Sequence, residues 1–511
     1  MPIGRKSQLT CIGCHLHKES PQRHANSCAI IAPMLRRTKI IATLGPATDD
    51  AKTLGEMIDA GLDVARLNFS HGNHDAQRKR LELLREVAAD CGRFVGVIGD
   101  LQGPKIRVRR FENSSVTLSK DDDFFLDSSL GENAGNRDGV GVAYSNLHQD
   151  LKKDDILLLN DGQITLRARK IDGTRIHTTV IVGGVLSDHK GINRQGGGLS
   201  APTLTEKDRD DIRFAAETGM DFLAVSFVRS AADVEEARSL FEAAGGTGKI
   251  IAKIERVEAL DCIDEIIAVA DIIMVARGDL GVEMGYAELT GMQKRIIRLT
   301  RHKNKVAITA TQMMESMINN PIPTRAEVSD VANAVMDGTD AVMLSAETAI
   351  GEYPVAVVVA MSDVCKGAEK HLLARGRTTH RLDDKFTEVD EAIAMAVMYT
   401  ANHLNVKAII ALTESGSTTL WMSRIRSDIP IYAFTPHDAT NRRVTLYRGV
   451  YPVSFKIEHT DSRLLYRDIF STLLSNELVD EGDLVIFTQG DLSGVTGSTN
   501  SMKIISVNSS I

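Results

Sequence analysis

Long apolar runs are missing from this sequence. No stretch reaches the ~18 residues that a membrane span needs. Cysteine is scarce as well: six in 511 residues are too few for a disulfide framework. Nor is positive charge in excess. With 60 Lys+Arg against 68 Asp+Glu the net charge is −8, which argues against bulk binding to nucleic acid or to an anionic membrane surface. The first residues lack the apolar core of a secretory signal. Together these absences make the cytoplasm the expected compartment. What remains is ordinary for a soluble globular protein, 43% hydrophobic and 25% charged, in a chain long enough for more than one domain.

Residues 1–33 differ from the rest, being polar, basic and His-rich without periodicity. Cys11-x-x-Cys14 followed by His24-x-x-x-Cys28 has some likeness to a zinc knuckle, but the spacing is loose and no apolar core accompanies it. The expectation is a disordered extension, or translated sequence upstream of a true start at Met34.

The chain is organised around Lys249 to Glu283. Two β-branched runs, KIIAKIE and DIIMVARG, flank a segment with Val257, Leu260, Ile263 and Ile267 at helical spacing. This is a strand–helix–strand pattern, which gives neighbouring parallel strands. Lys253 and Glu255 are two apart and share a strand face, and the adjacent run brings Asp279 beside Glu255. Two carboxylates and an ammonium at the open end of a sheet suit a divalent metal and a phosphate-bearing substrate; an ion-pair cluster capping strand ends is the other reading. Eight such runs recur: 39–45, 63–70, 94–100, 221–227, 249–255, 271–278, 306–312 and 341–348. They predict a closed (β/α)₈ barrel, a TIM barrel, in the α/β class. Polar residues fall at the run ends, where barrel enzymes place their chemistry: Arg66, Asn68, Ser70, Asp100, Ser226, Lys253, Glu255, Asp279, Thr311, Ser345 and Glu347.

The gap between the third and fourth runs is too long for a βα connection. Residues 104–203 carry short β-like segments and the turn signals Asp161-Gly162 and Asp172-Gly173, which predict an inserted all-β domain rooted at the catalytic face as a lid. The barrel is expected over 34–103 and 204–385. Residues 386–511 then read as an α/β sandwich. Its first strand ends in Thr413-Glu414-Ser415-Gly416-Ser417-Thr418 and runs into a helix, either an ordinary helix cap or a phosphate cradle.

The motifs RRTKIIATLGPAT, ARLNFSHG, GDLQGPKIR, AKIERVEAL, MVARGDLGVE, ATQMMESM, PTRAEVSDVANAVMDGTDAVMLSAETA and TESGSTTL occur in order. From about Arg36 to Val507 the chain resembles a pyruvate kinase, with a C-terminal pattern similar to the bacterial type that responds to AMP or sugar monophosphates. The resemblance implies transfer of phosphate from phosphoenolpyruvate to ADP, giving pyruvate and ATP. It implies that Lys253 faces the phosphoryl group and that Glu255 and Asp279 hold Mg²⁺ or Mn²⁺. Arg66 and Arg107 bind phosphate oxygens, and the backbone at Ala276, Arg277, Gly278 and Asp279, with Thr311, receives the substrate carboxylate. Thr311 takes part in protonating the enolate. Asn68, Ser70, Asp100 and the Leu101 carbonyl form a K⁺ site, and Asn68, His71 and Arg107 lie towards the nucleotide. Thr413, Ser415, Gly416, Ser417 and Thr418 hold an anionic effector. A homotetramer is implied too.

Those roles agree with the residue chemistry. Phosphoryl transfer needs in-line positioning and charge neutralisation more than covalent help, Mg²⁺ takes one or two carboxylates and substrate oxygens, and Arg forks suit phosphate. Two other readings stand beside this one: a metal-dependent aldolase or lyase acting on pyruvate enolate, and a non-catalytic nucleotide-binding relative, which would be expected to lack Lys253, Glu255, Asp279 or Thr311. One departure is Lys105 in GDLQGPKIR, where many potassium-dependent members have Glu. Its ammonium is expected either to do the electrostatic work of K⁺ or to point to solvent and leave the K⁺ ligands in use.

Overall fold

A computed structural model describes residues 35–374, 385–459, 461–490, 497 and 499–508. The Cys11, Cys14, His24 and Cys28 pattern and Met34 lie outside the described residues.

Eight parallel strands close into a barrel: Lys39–Thr43, Val64–Asn68, Gly96–Asp100, Phe222–Val225, Lys249–Ile254, Ile272–Ala276, Val306–Ala310 and Ala341–Leu344. Closure is made by the first strand pairing with the eighth, Lys39 opposite Ala341. The strands are buried on both faces, which explains their unbroken β-branched runs. Their outward side chains pack under the surrounding helices, Ile250 and Ile273 with Ile266 and Ile296.

The helices start where the sequence supplies caps. Thr205 and Thr324 open Glu206–Glu217 and Arg325–Asp337 in capping boxes with Asp208 and Glu327. One expectation needs correcting. The sixth strand stops at Ala276, and Arg277–Met284 is a helix, so Arg277 and Asp279 lie in a helical first turn instead of on the strand.

Between the third and fourth barrel strands, strands from Ser115 to Arg194 form a six-stranded sheet and a two-stranded ribbon around their own core of Phe124, Leu126, Leu157 and Leu166. Gly103 sits at the root of this insertion with φ +65°, and a Cβ there would lie 2.7 Å from the Phe227 ring. Only glycine meets both demands.

The C-terminal domain has a five-stranded sheet in the order Val450–Ser454, Ile431–Thr435, Ala408–Leu412, Leu484–Gly490, Thr499–Ser506, parallel except for the last strand. It packs on the end of the barrel opposite the strand C-termini. There Ile41, Ile98 and Phe222 share one apolar core with Met398, Ile409 and Val444. Two ion pairs fix this contact: the buried Arg424 with Asp340 at 2.6 Å and the half-buried Arg442 with buried Asp221 at 2.9 Å.

Candidate active site

At the C-terminal ends of the strands the polar side chains converge as a chain of alternating charge. Arg66, in the middle of the second strand, donates Nε to Asp100 Oδ2 at 2.6 Å and Nη1 to the Thr43 hydroxyl at 3.0 Å. Asp100 ends the third strand and turns its other oxygen to Lys253 Nζ at 3.2 Å. Lys253 also donates to Ser226 Oγ at 2.6 Å and pairs with Glu255 Oε1 at 3.0 Å. Glu255 in turn accepts the Phe227 backbone N–H at 2.8 Å. All of these groups are buried.

Their charges set one another. Burial works against the Asp100 anion, but Lys253 and Arg66 outweigh it and hold its pKa below the ordinary carboxylate value. Burial also opposes the Lys253 cation, and Asp100 and Glu255 more than restore it, so the ammonium persists at neutral pH. For Glu255, burial and the Asp279 and Asp100 charges prevail over Lys253 and push its pKa up. The Asp279 charge makes the Glu255 anion costlier, a repulsion that a divalent cation would relieve.

Lys105 does not point to solvent. Its ammonium reaches Asp279 Oδ1 at 3.1 Å and lies 3.9 Å from Asp161 Oδ1 on the inserted domain. Burial lowers its pKa, while Asp279, Asp161 and Glu255 raise it further than burial lowers it. Lys105 thus stands at Asp279.

The expected metal ligands fit Mg²⁺ or Mn²⁺ by donor chemistry. Glu255 and Asp279 supply hard oxygens from neighbouring units, and each is balanced by one ammonium. Among the described residues no group of three or more His, Cys, Asp or Glu gathers at a metal-sized site.

The four expected K⁺ ligands sit on adjacent strand ends, Asn68 in register with Asp100. Three of the four already serve a protein donor. Asn68 Oδ1 takes the Ser70 N–H at 3.1 Å, the Leu101 carbonyl takes the Ser226 hydroxyl at 2.8 Å, and Asp100 carries two cations.

Thr311 has φ +70° and Gln312 φ +53°, left-handed backbone that is costly for a β-branched residue. Arg277 holds this turn. Its Nη2 donates to the Thr311 carbonyl at 2.6 Å and the Gln312 carbonyl at 3.0 Å, while Nη1 pairs with Asp330 at 2.6 Å. The Thr311 hydroxyl accepts the Gly278 N–H at 2.8 Å and donates to the Ala310 carbonyl at 2.6 Å. The first turn of the Arg277 helix therefore aims the Gly278 N–H at Thr311, at a helix N-terminus where an anionic group is favoured.

Arg107 and His71 flank this centre. The Arg107 Nε is buried with no partner among the described residues. His71 is exposed, and partial desolvation, then the Arg107 and Arg66 charges, lower its pKa. Of the run-end residues, Glu347 serves structure: it accepts the Ser345 and Met314 N–H groups at 2.6 and 3.2 Å.

The C-terminal loop lies apart from the barrel site. Gly416 has φ +86°, and its N–H donates to the Thr413 hydroxyl at 2.9 Å. Thr418 is buried against the Thr499 hydroxyl at 2.7 Å. Ser415 and Ser417 remain half-buried at the loop surface.

Sequence reasoning missed Asp161, Arg256 and Glu283. Glu283 accepts the Val257 N–H at 3.1 Å and lies 3.7 Å from Arg256, while its carbonyl takes the N–H of Gly196 on the inserted domain. Burial pushes its carboxyl up to about 7. Nothing in the local pattern marks these residues, since their partners are distant in the chain, Lys105 for Asp161 and Arg256 and Gly196 for Glu283.

Comparison with known proteins follows the same division. Residues 35–358 match the family model "Pyruvate kinase, barrel domain" and residues 391–505 match "Pyruvate kinase, alpha/beta domain". The chain is similar to pyruvate kinase II of Salmonella typhimurium, 52% identical over 477 residues, which is 93% of this chain and 99% of that one. A pyruvate kinase of Buchnera aphidicola subsp. Schizaphis graminum is 52% identical over the same shares. One of Sporosarcina psychrophila is 43% identical over 92% of this chain and 80% of its own.

Proposed function

The chain belongs to the pyruvate kinase family, and from that premise we propose that it transfers the phosphoryl group of phosphoenolpyruvate to ADP at the barrel mouth, with regulation through the C-terminal domain. The observation that carries the reading is the buried chain Arg66–Asp100–Lys253–Glu255, with Asp279 beside it. It keeps a fully charged lysine where a migrating phosphoryl group needs neutralisation.

In this reading Lys253 meets the phosphoryl oxygens, fixed by Ser226, Asp100 and Glu255. Arg66 and Arg107 take the remaining phosphate charge. The N–H groups of the Arg277 helix and the Thr311 hydroxyl hold the substrate carboxylate, and Arg277 keeps that turn in place. Glu255 and Asp279 would hold a divalent metal, which when bound supplies charge neutralisation to the phosphate and enolate oxygens. Thr311 passes a proton to the enolate through a relay, because a hydroxyl alone is a weak acid. The inserted domain closes over the site and excludes water.

Lys105 supplies the monovalent positive charge, making K⁺ dispensable. Its contacts to Asp279 and Asp161 support this, as does the engagement of Asp100 by two cations. The loop Thr413–Thr418 holds a sugar phosphate or AMP through Ser415, Ser417 and the backbone turn at Gly416. A homotetramer is supported by exposed apolar side chains on the barrel, Tyr286, Ile322 and Val359, and on the C-terminal domain, Val389 and Tyr399. No helix among the described residues is long and apolar enough to cross a membrane, and a cytoplasmic site of action completes the reading.

A lactate-dehydrogenase-coupled assay with phosphoenolpyruvate, ADP and Mg²⁺, with and without AMP and sugar phosphates, tests it. Pyruvate and ATP formed in equal amounts support the kinase. No pyruvate from phosphoenolpyruvate, with pyruvate released instead by carbon–carbon cleavage of a hydroxy keto acid, would support the aldolase or lyase.

A further inference from the structure

Between the closed end of the barrel and the C-terminal domain lies a cavity of about 200 Å³, on the side of the barrel away from the catalytic groups. Four arginines line it: Arg37 ahead of the first strand, Arg301 at the end of the helix Tyr286–His302, and Arg426 and Arg448 from the C-terminal domain. The acidic lining residues are Glu369 and Asp428. Glu369 is already committed. It accepts the Arg37 and Thr38 N–H groups at 3.0 and 2.6 Å and the Thr38 hydroxyl at 2.7 Å, and stays 3.7 Å from Arg448. Asp428 is exposed at the rim.

Three of the arginines, Arg37, Arg426 and Arg448, are under-served by comparison. The Arg426 Nε is buried without a hydrogen-bond partner, and its Nη2 reaches only the Met336 carbonyl at 3.2 Å. Arg448 Nη1 finds the Thr339 carbonyl at 3.3 Å. The guanidinium of Arg37 makes no hydrogen bond or ion pair with a described residue. Burial, followed by the neighbouring Arg424, Arg426 and Arg448 charges, brings Arg301 down to about 9 despite Asp340, and burial with Arg448 lowers Arg426. Guanidiniums that depress one another's charge are what an anion would relieve.

We propose that this cavity is a binding site for a phosphate dianion, clamped by arginines of the barrel on one side and of the C-terminal domain on the other. Planar guanidinium forks match phosphate oxygens in pairs. The volume exceeds the share of a single water, about 30 Å³, several-fold. The uncharged lining residues Asn402, Ser423 and Ser427 leave room for hydroxyls, so the phosphate is carried free or as an ester. Because the walls belong to two domains, the ligand ties them together.

The test is calorimetric titration of the full chain at constant ionic strength with inorganic phosphate, with glycerol phosphate, and with chloride as control. Arg426→Gln and Arg37→Gln are the diagnostic variants. Neither residue belongs to the catalytic groups, so turnover reports that each variant is folded. Each is expected to weaken phosphate binding about tenfold or more, the loss of one charge-assisted contact. Ser415→Asp, in the C-terminal loop, is expected to leave it intact. Tighter binding of glycerol phosphate than of phosphate identifies an ester as the ligand, and the reverse identifies the free ion. Undiminished binding in both arginine variants places the phosphate at the barrel mouth or the loop and overturns the proposal. So does loss of this binding in Ser415→Asp alone, or equal heats with chloride.

Discussion

Replacing Lys105 by Glu reverses the charge facing Asp279. The ammonium stands 3.1 Å from Asp279 Oδ1 with a quarter of its side chain exposed. At an effective dielectric constant of ~20 the attraction at that distance is about 5 kcal/mol. Desolvation consumes more than half of it, leaving the net worth of a charged hydrogen bond, about 2 kcal/mol. That corresponds to roughly thirtyfold in an equilibrium or a rate. In the variant a third carboxylate joins Asp279 and Asp161, and closure of the inserted domain then requires a monovalent cation between them. The assay is turnover of phosphoenolpyruvate and ADP in potassium, sodium and tetramethylammonium buffers at matched ionic strength. The wild type is expected to run at nearly equal rates in all three. Lys105→Glu is expected to fall about thirtyfold in tetramethylammonium and to recover in potassium. A wild-type enzyme activated tenfold or more by K⁺ would refute the reasoning and leave the family assignment untouched.

Glu255→Gln and Asp279→Asn should each weaken the Mg²⁺ requirement and turnover together; an unchanged Mg²⁺ titration removes that residue from the metal. Ser415→Asp should abolish activation by phosphate effectors, because a carboxylate then occupies the place of phosphate, and activation retained for every effector tried counts against the loop. Glu283 sits at about 7 in the fold against 4.5 for an unperturbed carboxyl, so the folded chain binds the proton more tightly through that window. Stability then falls as pH rises from 4.5 to about 7, by about 3 kcal/mol in all. Glu283→Gln should flatten the change in urea midpoint between pH 5 and pH 8, whereas equal slopes in the two proteins would show that another group titrates.

Much of this site was legible because barrel chemistry is written at strand ends. Lys253 and Glu255 share a face by simple alternation, and closure of the barrel brings Asp100 and Arg66 to them across its mouth. The eight runs were visible for the same reason, since strands buried on both faces leave unbroken apolar segments. The sixth run misled at its end. Arg277-Gly278-Asp279 reads as a continuation of the strand, but the chain turns there into a helix, and this aims the Gly278 N–H at Thr311. The side-chain role of Arg277 depends on the turn at Thr311 and on Asp330, both distant in sequence, so no local pattern announces it. Lys105 was recognisable as a departure, yet its partner was not. Its partners Asp279 and Asp161 are far off along the chain and meet it only once the insertion has folded. The cavity between barrel and C-terminal domain was invisible for the same cause: its four arginines come from segments joined only by tertiary packing.

The central claim is that Lys253 stabilises the phosphoryl group in flight. Removal of one preorganised charge typically costs about 10²–10³ in rate, and this one faces the migrating group itself. Lys253→Met also leaves Asp100 to Arg66 and Glu255 to the Phe227 N–H, so the barrel keeps partners for both carboxylates. The direct measurement is single-turnover transfer from phosphoenolpyruvate to ADP by Lys253→Met, with circular dichroism confirming the fold. The account predicts a loss of about 10³ or more with Mg²⁺ binding retained. A folded variant that keeps a tenth of wild-type turnover would contradict it.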